Sequence, residues 1–184
     1  MRIIVTGGAG FIGTNLVKRL IVEGHDVVSL DNYSTGKREN EQDGCEYITG
    51  DINDNSLSLE SYDVIFHIAA LARIQPSLKD PSTCIEANVN GTLNILNLAR
   101  EHNIPVIYAG SSSVHHGLYG SPYAWSKHAG EQLCELFSTA FGLNTTICRF
   151  YNVYGPHQLE EGDYSTVLGI YERQYRNNQP LTIT

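Results

Sequence analysis

A short β-branched run, Arg2 to Thr6, leads straight into Gly7-Gly8-Ala9-Gly10-Phe11-Ile12-Gly13 and then into an amphipathic stretch from Phe11 to Glu23. A glycine cluster between a strand and a helix leaves few folds open. A β-carbon there would block the tight turn and hold the backbone away from a pyrophosphate. The helix that follows aims its free N–H groups and positive dipole end at the same point. Both G-x-G-x-x-G (Gly8, Gly10, Gly13) and G-x-x-G-x-x-G (Gly7, Gly10, Gly13) fit the cluster. Such motifs also arise by chance, so the position between a first strand and a first helix carries the weight.

Downstream, strand-like and helix-like runs alternate. His25 to Leu30, Cys45 to Thr49, Asp63 to Ala69, Pro105 to Tyr108 and Thr145 to Phe150 have strand character. Pro81 to His102 and Ala124 to Phe141 have the three-and-four spacing of long helices, and Asp163 to Arg176 fits a further one. Alternation of this kind predicts an α/β fold, a doubly wound parallel sheet of Rossmann type with helices on both faces. At 184 residues and 41% apolar composition the chain is expected to form one compact unit.

The charge balance narrows the partners. Twelve Lys+Arg against twenty Asp+Glu give −8, which argues against a nucleic-acid face. The longest near-apolar run, Val64 to Ala72, is too short for a membrane span, and the opening strand meets glycine too early for a signal peptide. No membrane partner is expected. Cys45, Cys84, Cys134 and Cys148 lack the short spacings of a zinc or redox motif, so buried reduced thiols, no metal site and a cytoplasmic location are expected.

Candidate site residues follow the strand ends. Asp31 closes the second strand, where a carboxylate accepts both hydroxyls of an adenosine ribose and repels a 2′-phosphate, favouring NAD over NADP. A turn role before Asn32 stays open. Asp51-Ile52, after the third strand, either meets an adenine edge or makes a turn. Ala69, Ala70 and Ala72 are small enough to let a cofactor pass, whereas His67 reads as a core histidine. Tyr123 and Lys127 stand one turn apart at a helix start. The dipole and the ammonium give that tyrosine surroundings suited to a general base. Ser111-Ser112-Ser113 ends the fifth strand at the sheet edge where open α/β folds bind ligands. It is either a substrate contact or an ordinary polar loop.

Taken together, Val5 to Gly13, Asp31 to Gly36, Gly50-Asp51-Ile52, His67 to Ala70, Asn88 to Thr92, Tyr123 to Lys127 and Arg149 to Pro156 resemble the extended short-chain dehydrogenase/reductases that act on nucleotide sugars. Within these, the likeness is to the NAD-dependent epimerases of the UDP-glucose 4-epimerase type. The resemblance implies NAD held by Gly7, Gly10, Phe11, Ile12, Gly13, Asp31, Asn32, Ser34, Thr35, Gly36, Asp51, Ile52, Ala69, Ala70, Ala72 and Asn88, with Tyr123 and Lys127. It also implies a catalytic set of Ser111, Tyr123 and Lys127. Tyr123 takes the proton of the sugar 4-hydroxyl as the C4 hydride leaves for NAD, and the ketone turns over before the hydride returns to its other face. Ser111, Ser112 and Asn152 are implied as contacts to the nucleotide-sugar substrate. Ser112-Ser113 stands where the related dehydratases carry Asp-Glu, which disfavours dehydration, and decarboxylases with a Glu in this loop are disfavoured too.

The chain also departs from the pattern. The segment from Ser111 to Tyr123 is about half the usual length, and its His115-His116 pair reads as solvated loop. Residues 1–154 are expected to form the NAD-binding domain and 155–184 a stub of a substrate domain that is largely missing, leaving activity impaired or partner-dependent. Two other functions stay open: a non-catalytic NAD-binding module, and a small-molecule oxidoreductase with exchangeable NAD. In the resembling proteins, helices matching Pro81–His102 and Ala124–Phe141 pair across a two-fold axis, so a homodimer is expected.

Overall fold

In a computed structural model, residues 1–115 and 117–182 are described; His116 of the shortened loop and residues 183–184 lie outside them. The described residues form six strands, β1 (Arg2–Thr6), β2 (Asp26–Asp31), β3 (Cys45–Thr49), β4 (Val64–His67), β5 (Val106–Ser111) and β6 (Thr145–Phe150). The α-helices are α1 (Phe11–Val22), α2 (Ile74–Lys79), α3 (Pro81–Ile85), α4 (Gly91–His102), α5 (Pro122–Phe141) and α6 (Val167–Arg176).

All strand pairs are parallel, in the order β3-β2-β1-β4-β5-β6. The order reverses between β1 and β4, and the crevice outside that switch point is where such sheets bind ligands. Thr6 pairs with both Leu30 and His67, so the chain leaves β1, β2 and β4 at one level. Gly7, Asp31 and Ile68 are thereby brought to a single edge.

Side-chain alternation divides the core between the two faces. Ile3, Val5, Val17, Leu20 and Val27 pack beneath α1. Ile4, Leu30, Ile65, Ile95, Leu96 and Phe137 pack on the opposite face beneath α4 and α5. The doubly wound expectation therefore holds. Helix α5 starts where Ser121 Oγ accepts from Ala124 N at 3.1 Å with Pro122 in the first turn, and it ends at Gly142 in the left-handed region.

Element bounds shift by a few residues at β4, β5 and α6, and the structure differs from the sequence expectations more deeply in three places. The run Pro81–His102 is helical throughout, but a π turn, Glu86–Asn90, separates α3 from α4. At this wider turn the Asn88 carboxamide meets the Leu71 backbone, accepting from its N–H at 2.8 Å and donating to its carbonyl at 3.1 Å. Helix α2 has no sequence signal: it is six residues long with Pro76 near its start, where a missing N–H costs little. The cysteines are also not uniformly buried. Cys84 and Cys134 are buried, Cys45 is half-buried and Cys148 is exposed. Cys148 lies on β6 at the end of the strand order, paired on one side by β5 alone, and alternation turns its side chain outward.

Candidate active site

The glycine cluster forms a cradle at the head of α1. Gly7 has φ +73°, donates to the Leu30 carbonyl at 2.8 Å, and stands so near β4 that a β-carbon would lie 2.8 Å from Ala69 Cα. A β-carbon on Gly13 would overlap the Gly7 carbonyl oxygen. Gly8 has a different job: it lies against Ser29 and lets α1 settle on β2. The crevice is lined by Gly7, Gly10 and Gly13, so the G-x-x-G-x-x-G spacing is the one facing it. Gly10 caps α1 without a side chain, leaving the first-turn N–H groups without side-chain capping and available to an anion.

Asp31, 7% exposed, serves the turn and the crevice together. Its Oδ2 accepts from Ala9 N at 2.9 Å and its Oδ1 from Tyr33 N at 2.8 Å. Each oxygen keeps a further lone pair for a ribose hydroxyl. Gly36 makes room for this carboxylate, since a β-carbon would stand 2.9 Å from both oxygens. Asp51 accepts from Asn53 N at 2.9 Å and Asn32 Nδ2 at 2.8 Å. The Asn53 backbone bond above all holds its carboxyl below the usual range.

The crevice measures about 200 Å³. Phe11, Ile12, Asn32, Ser34, Thr35 and Ile52 complete its outer wall, and Ala69, Ala70 and Ala72 its inner wall. Arg73, Leu159 and Tyr164 line it as well, none of them anticipated from sequence. Leu159 and Tyr164 come from the segment after β6, tied down by Asn15 Nδ2 to Pro156 O at 2.9 Å and Arg73 Nε to Tyr164 O at 3.1 Å. No local pattern announces such long-range contacts. Gly36, Asn88, Tyr123 and Lys127 are absent from the lining. The Asn88 carboxamide, 1% exposed, is engaged by Leu71 and by Ser126 Oγ at 3.0 Å.

A hydroxyl cluster stands at the ends of β5 and α5. Tyr123 Oη lies 3.4 Å from Ser111 Oγ, which also meets Ser113 Oγ at 2.9 Å and accepts from Ser113 N at 3.2 Å. Ser113 is thus the second serine of the cluster, a role the triple serine contained but did not single out. Ser112 is half-buried in the short 3-10 turn beside it, and Asn152 is exposed beyond β6. Ser77 Oγ on α2 accepts from Tyr123 N at 3.2 Å and fixes the start of α5.

Lys127, one turn past Tyr123, is 4% exposed, with Nζ 4.2 Å from the Tyr108 ring centroid. Burial draws its ammonium down to about 8. Among the described residues no carboxylate forms an ion pair with it. Glu131, the next acid on α5, is held by Arg149 Nη2 at 2.8 Å and Nε at 3.0 Å. His67 sits between Thr6 Oγ1 at 2.8 Å and Thr92 Oγ1 at 3.0 Å, and burial pushes it down to about 3. It is a core histidine.

The cradle therefore fits a dinucleotide, with backbone N–H groups for phosphates and Asp31 for a ribose. At the end of β5 on the same sheet edge stands a Tyr–Ser hydroxyl pair, with the buried Lys127 one helical turn past the tyrosine. Such a pair can take and return the proton of an alcohol.

Comparison with known proteins agrees. Residues 3–184 match the NAD dependent epimerase/dehydratase family. The UDP-glucose 4-epimerase of Mycolicibacterium smegmatis is 35% identical over 192 residues, taking in 91% of this chain and 61% of that protein. The crystal structure of the Thermotoga maritima UDP-glucose 4-epimerase with UDP-glucose superposes with a TM-score of 0.92 at 30% identity, covering 97% of this chain and 64% of that one. The Thermus thermophilus UDP-glucose 4-epimerase in complex with NAD gives 0.87 at 31% identity, covering 100% and 65%. The chain spans less than two thirds of the length of these relatives. A family match that runs across almost every residue, on a backbone this similar, settles the membership: the chain belongs to the NAD dependent epimerase/dehydratase family.

Proposed function

We propose that the chain carries the NAD-binding and proton-transfer parts of an epimerase that inverts C4 of a nucleotide-diphosphate sugar. The observation that carries this is the Tyr123 Oη–Ser111 Oγ approach of 3.4 Å, one helical turn from the buried Lys127 and on the same C-terminal sheet edge as the glycine cradle. NAD, when bound, supplies a hydride acceptor that can return what it takes. Tyr123 removes the proton of the sugar 4-hydroxyl and later gives it back. Ser111 donates a hydrogen bond to the same oxygen, steadied by Ser113. Lys127 holds the nicotinamide ribose, Asp31 the adenosine ribose, and the first turn of α1 the pyrophosphate. Asn88 shapes the inner wall through Leu71 rather than meeting the cofactor. Ser112 and Asn152 are assigned to the substrate side. UDP-glucose in the Thermotoga maritima relative supports the substrate class.

Residues 1–154 act as the cofactor domain, and 155–184 begin the substrate-binding region, which reaches back to the cofactor crevice at Leu159 and Tyr164. The protein pairs as a homodimer through the helices over 81–102 and 124–141, whose exposed Leu93, Trp125, Leu136 and Phe141 support the choice of face. Light scattering showing a monomer at tens of micromolar overturns the dimer. No helix of the described residues is long and apolar enough to cross a membrane, and four free thiols fit the reducing cytoplasm.

The first test purifies the protein without added cofactor, denatures it and assays the supernatant for NAD⁺ and NADH. Retained NAD, followed by interconversion of a UDP-sugar pair without net NADH, is the expected result. Net NADH formation from an alcohol identifies an oxidoreductase instead. Bound NAD with no chemistry, and indifference to Tyr123→Phe, identifies a binding module.

A further inference from the structure

The charged lining of the crevice is uneven. Asp31 and Asp51 stand at the end reached from β2 and β3, and among the lining residues Arg73 is the one cation. It lies just past the inner wall of small residues, immediately before α2, whose Ser77 fixes Tyr123. Two backbone carbonyls orient its guanidinium: Nε donates to Tyr164 O at 3.1 Å and Nη1 to Ala72 O at 3.1 Å. No described carboxylate pairs with it. The acid adjacent to Tyr164 in sequence, Asp163, is taken by Lys79 Nζ at 2.8 Å.

A half-buried cation held by carbonyls and lacking an acidic partner is costly unless a ligand supplies the anion. Burial lowers its pKa, and the helix it opens is tied to the catalytic tyrosine, since Ser77 Oγ accepts from Tyr123 N at 3.2 Å. The cofactor pyrophosphate already has the N–H groups of α1. The anions left for Arg73 are those of the substrate, its diphosphate or a group on the sugar ring, and the tie from α2 to Tyr123 favours the ring that carries the reacting hydroxyl. A carboxylate suits the planar fork of a guanidinium, which can meet both its oxygens.

We propose that Arg73 is a specificity residue that receives the carboxylate of a nucleotide-linked uronic acid, making the preferred substrate a nucleotide hexuronate rather than a neutral hexose. The inference rests on the epimerase reading of the same site.

The test uses the full chain loaded with NAD and titrated with UDP-glucuronate and with UDP-glucose, by calorimetry, for the parent protein and for Arg73→Met and Arg73→Lys. The NAD affinity and Tm of each variant are measured alongside. The parent is expected to bind the uronate about tenfold or more tightly than the neutral sugar, the scale of a charge-assisted pair. Arg73→Met removes that preference, its loss for the uronate exceeding its loss for the neutral sugar by about tenfold, while Arg73→Lys keeps part of the preference. Equal affinity of the parent for both sugars overturns the proposal. So does an equal loss for both in Arg73→Met, which makes the residue a diphosphate contact or a tie to Tyr164. A loss confined to NAD makes it a cofactor contact and overturns it too. Failure of the NAD-loaded protein to bind either sugar overturns the epimerase reading as well.

Discussion

Lys127→Met should stabilise the NAD-free protein while removing its hold on the cofactor. The ammonium is 4% exposed and is drawn from its ordinary 10.5 to about 8, mainly by burial. At about 1.4 kcal/mol per pKa unit, holding that charge in the fold costs about 3 kcal/mol. The Tyr108 ring face, 4.2 Å away, returns about 1–2 kcal/mol of this as a cation–π contact. Methionine replaces the stem with a similar apolar volume and no charge, so the net gain at pH 7 should be about 1–2 kcal/mol, or several degrees in Tm for a chain of this size.

The pH dependence separates this cause from better packing. Because the folded pKa lies below the unfolded one, the penalty is fully present below about pH 8. Between pH 8 and 10.5 the folded chain releases the proton before the unfolded chain does, and parent stability climbs relative to the variant. Above 10.5 both states are neutral, and the electrostatic advantage of methionine is gone. Denaturant unfolding of both proteins at pH 7, 9 and 10.5 measures the difference directly. A variant less stable than the parent at pH 7, or an offset that stays constant across the range, refutes the reasoning.

The remaining predictions concern neighbouring groups. Gly13→Ala forces a methyl onto the Gly7 carbonyl oxygen, so calorimetry should find NAD binding lost and Tm lowered; unchanged binding would mean that the loop can open. Arg149→Met should lower Tm further than Glu131→Gln, because Glu131 is left as an unpaired carboxylate with 2% side-chain exposure, whereas Arg149, at 42%, can turn to water. His67, held down to about 3, should show no imidazole titration by NMR between pH 5 and 8. Its folded pKa lies below the unfolded value of 6.5, so stability should fall with acidification from pH 6.5 toward 3, by up to about 4 kcal/mol from this group. NAD affinity should weaken above pH 8, since ribose hydroxyls favour the charged form of Lys127 and binding then takes up a proton. Calorimetry in buffers of different ionisation enthalpy reads that proton.

Elements with a strong local period were legible in the sequence, and elements defined by distant partners were not. Cys45–Thr49 and Thr145–Phe150 coincide with β3 and β6 because β-branched and apolar residues end abruptly at turn chemistry. The expected end of β5 at Tyr108 falls short by three residues. Ala109-Gly110-Ser111 has no strand character of its own and is extended because it pairs with Cys148-Arg149-Phe150. Helix α2 and the π turn share that cause: Ser77 and Asn88 are fixed by Tyr123 and Leu71, partners far away in the chain.

The site divides along the same line. Residues bound by backbone geometry, such as Gly7, Gly13 and Asp31, are visible in sequence because only certain residue types tolerate those positions. Arg73 and Lys127 look alike on paper as cations near a motif, and nothing local says whether either has a counter-ion. The fold decides it. Asp163 goes to Lys79 and Glu131 goes to Arg149, so that among the described residues neither Arg73 nor Lys127 has an acidic partner. An unpaired charge opposes folding unless a bound group completes it. The site must therefore gain stability from its ligands, and in the uronate proposal the carboxylate that meets Arg73 is the part of that gain which the cofactor does not provide.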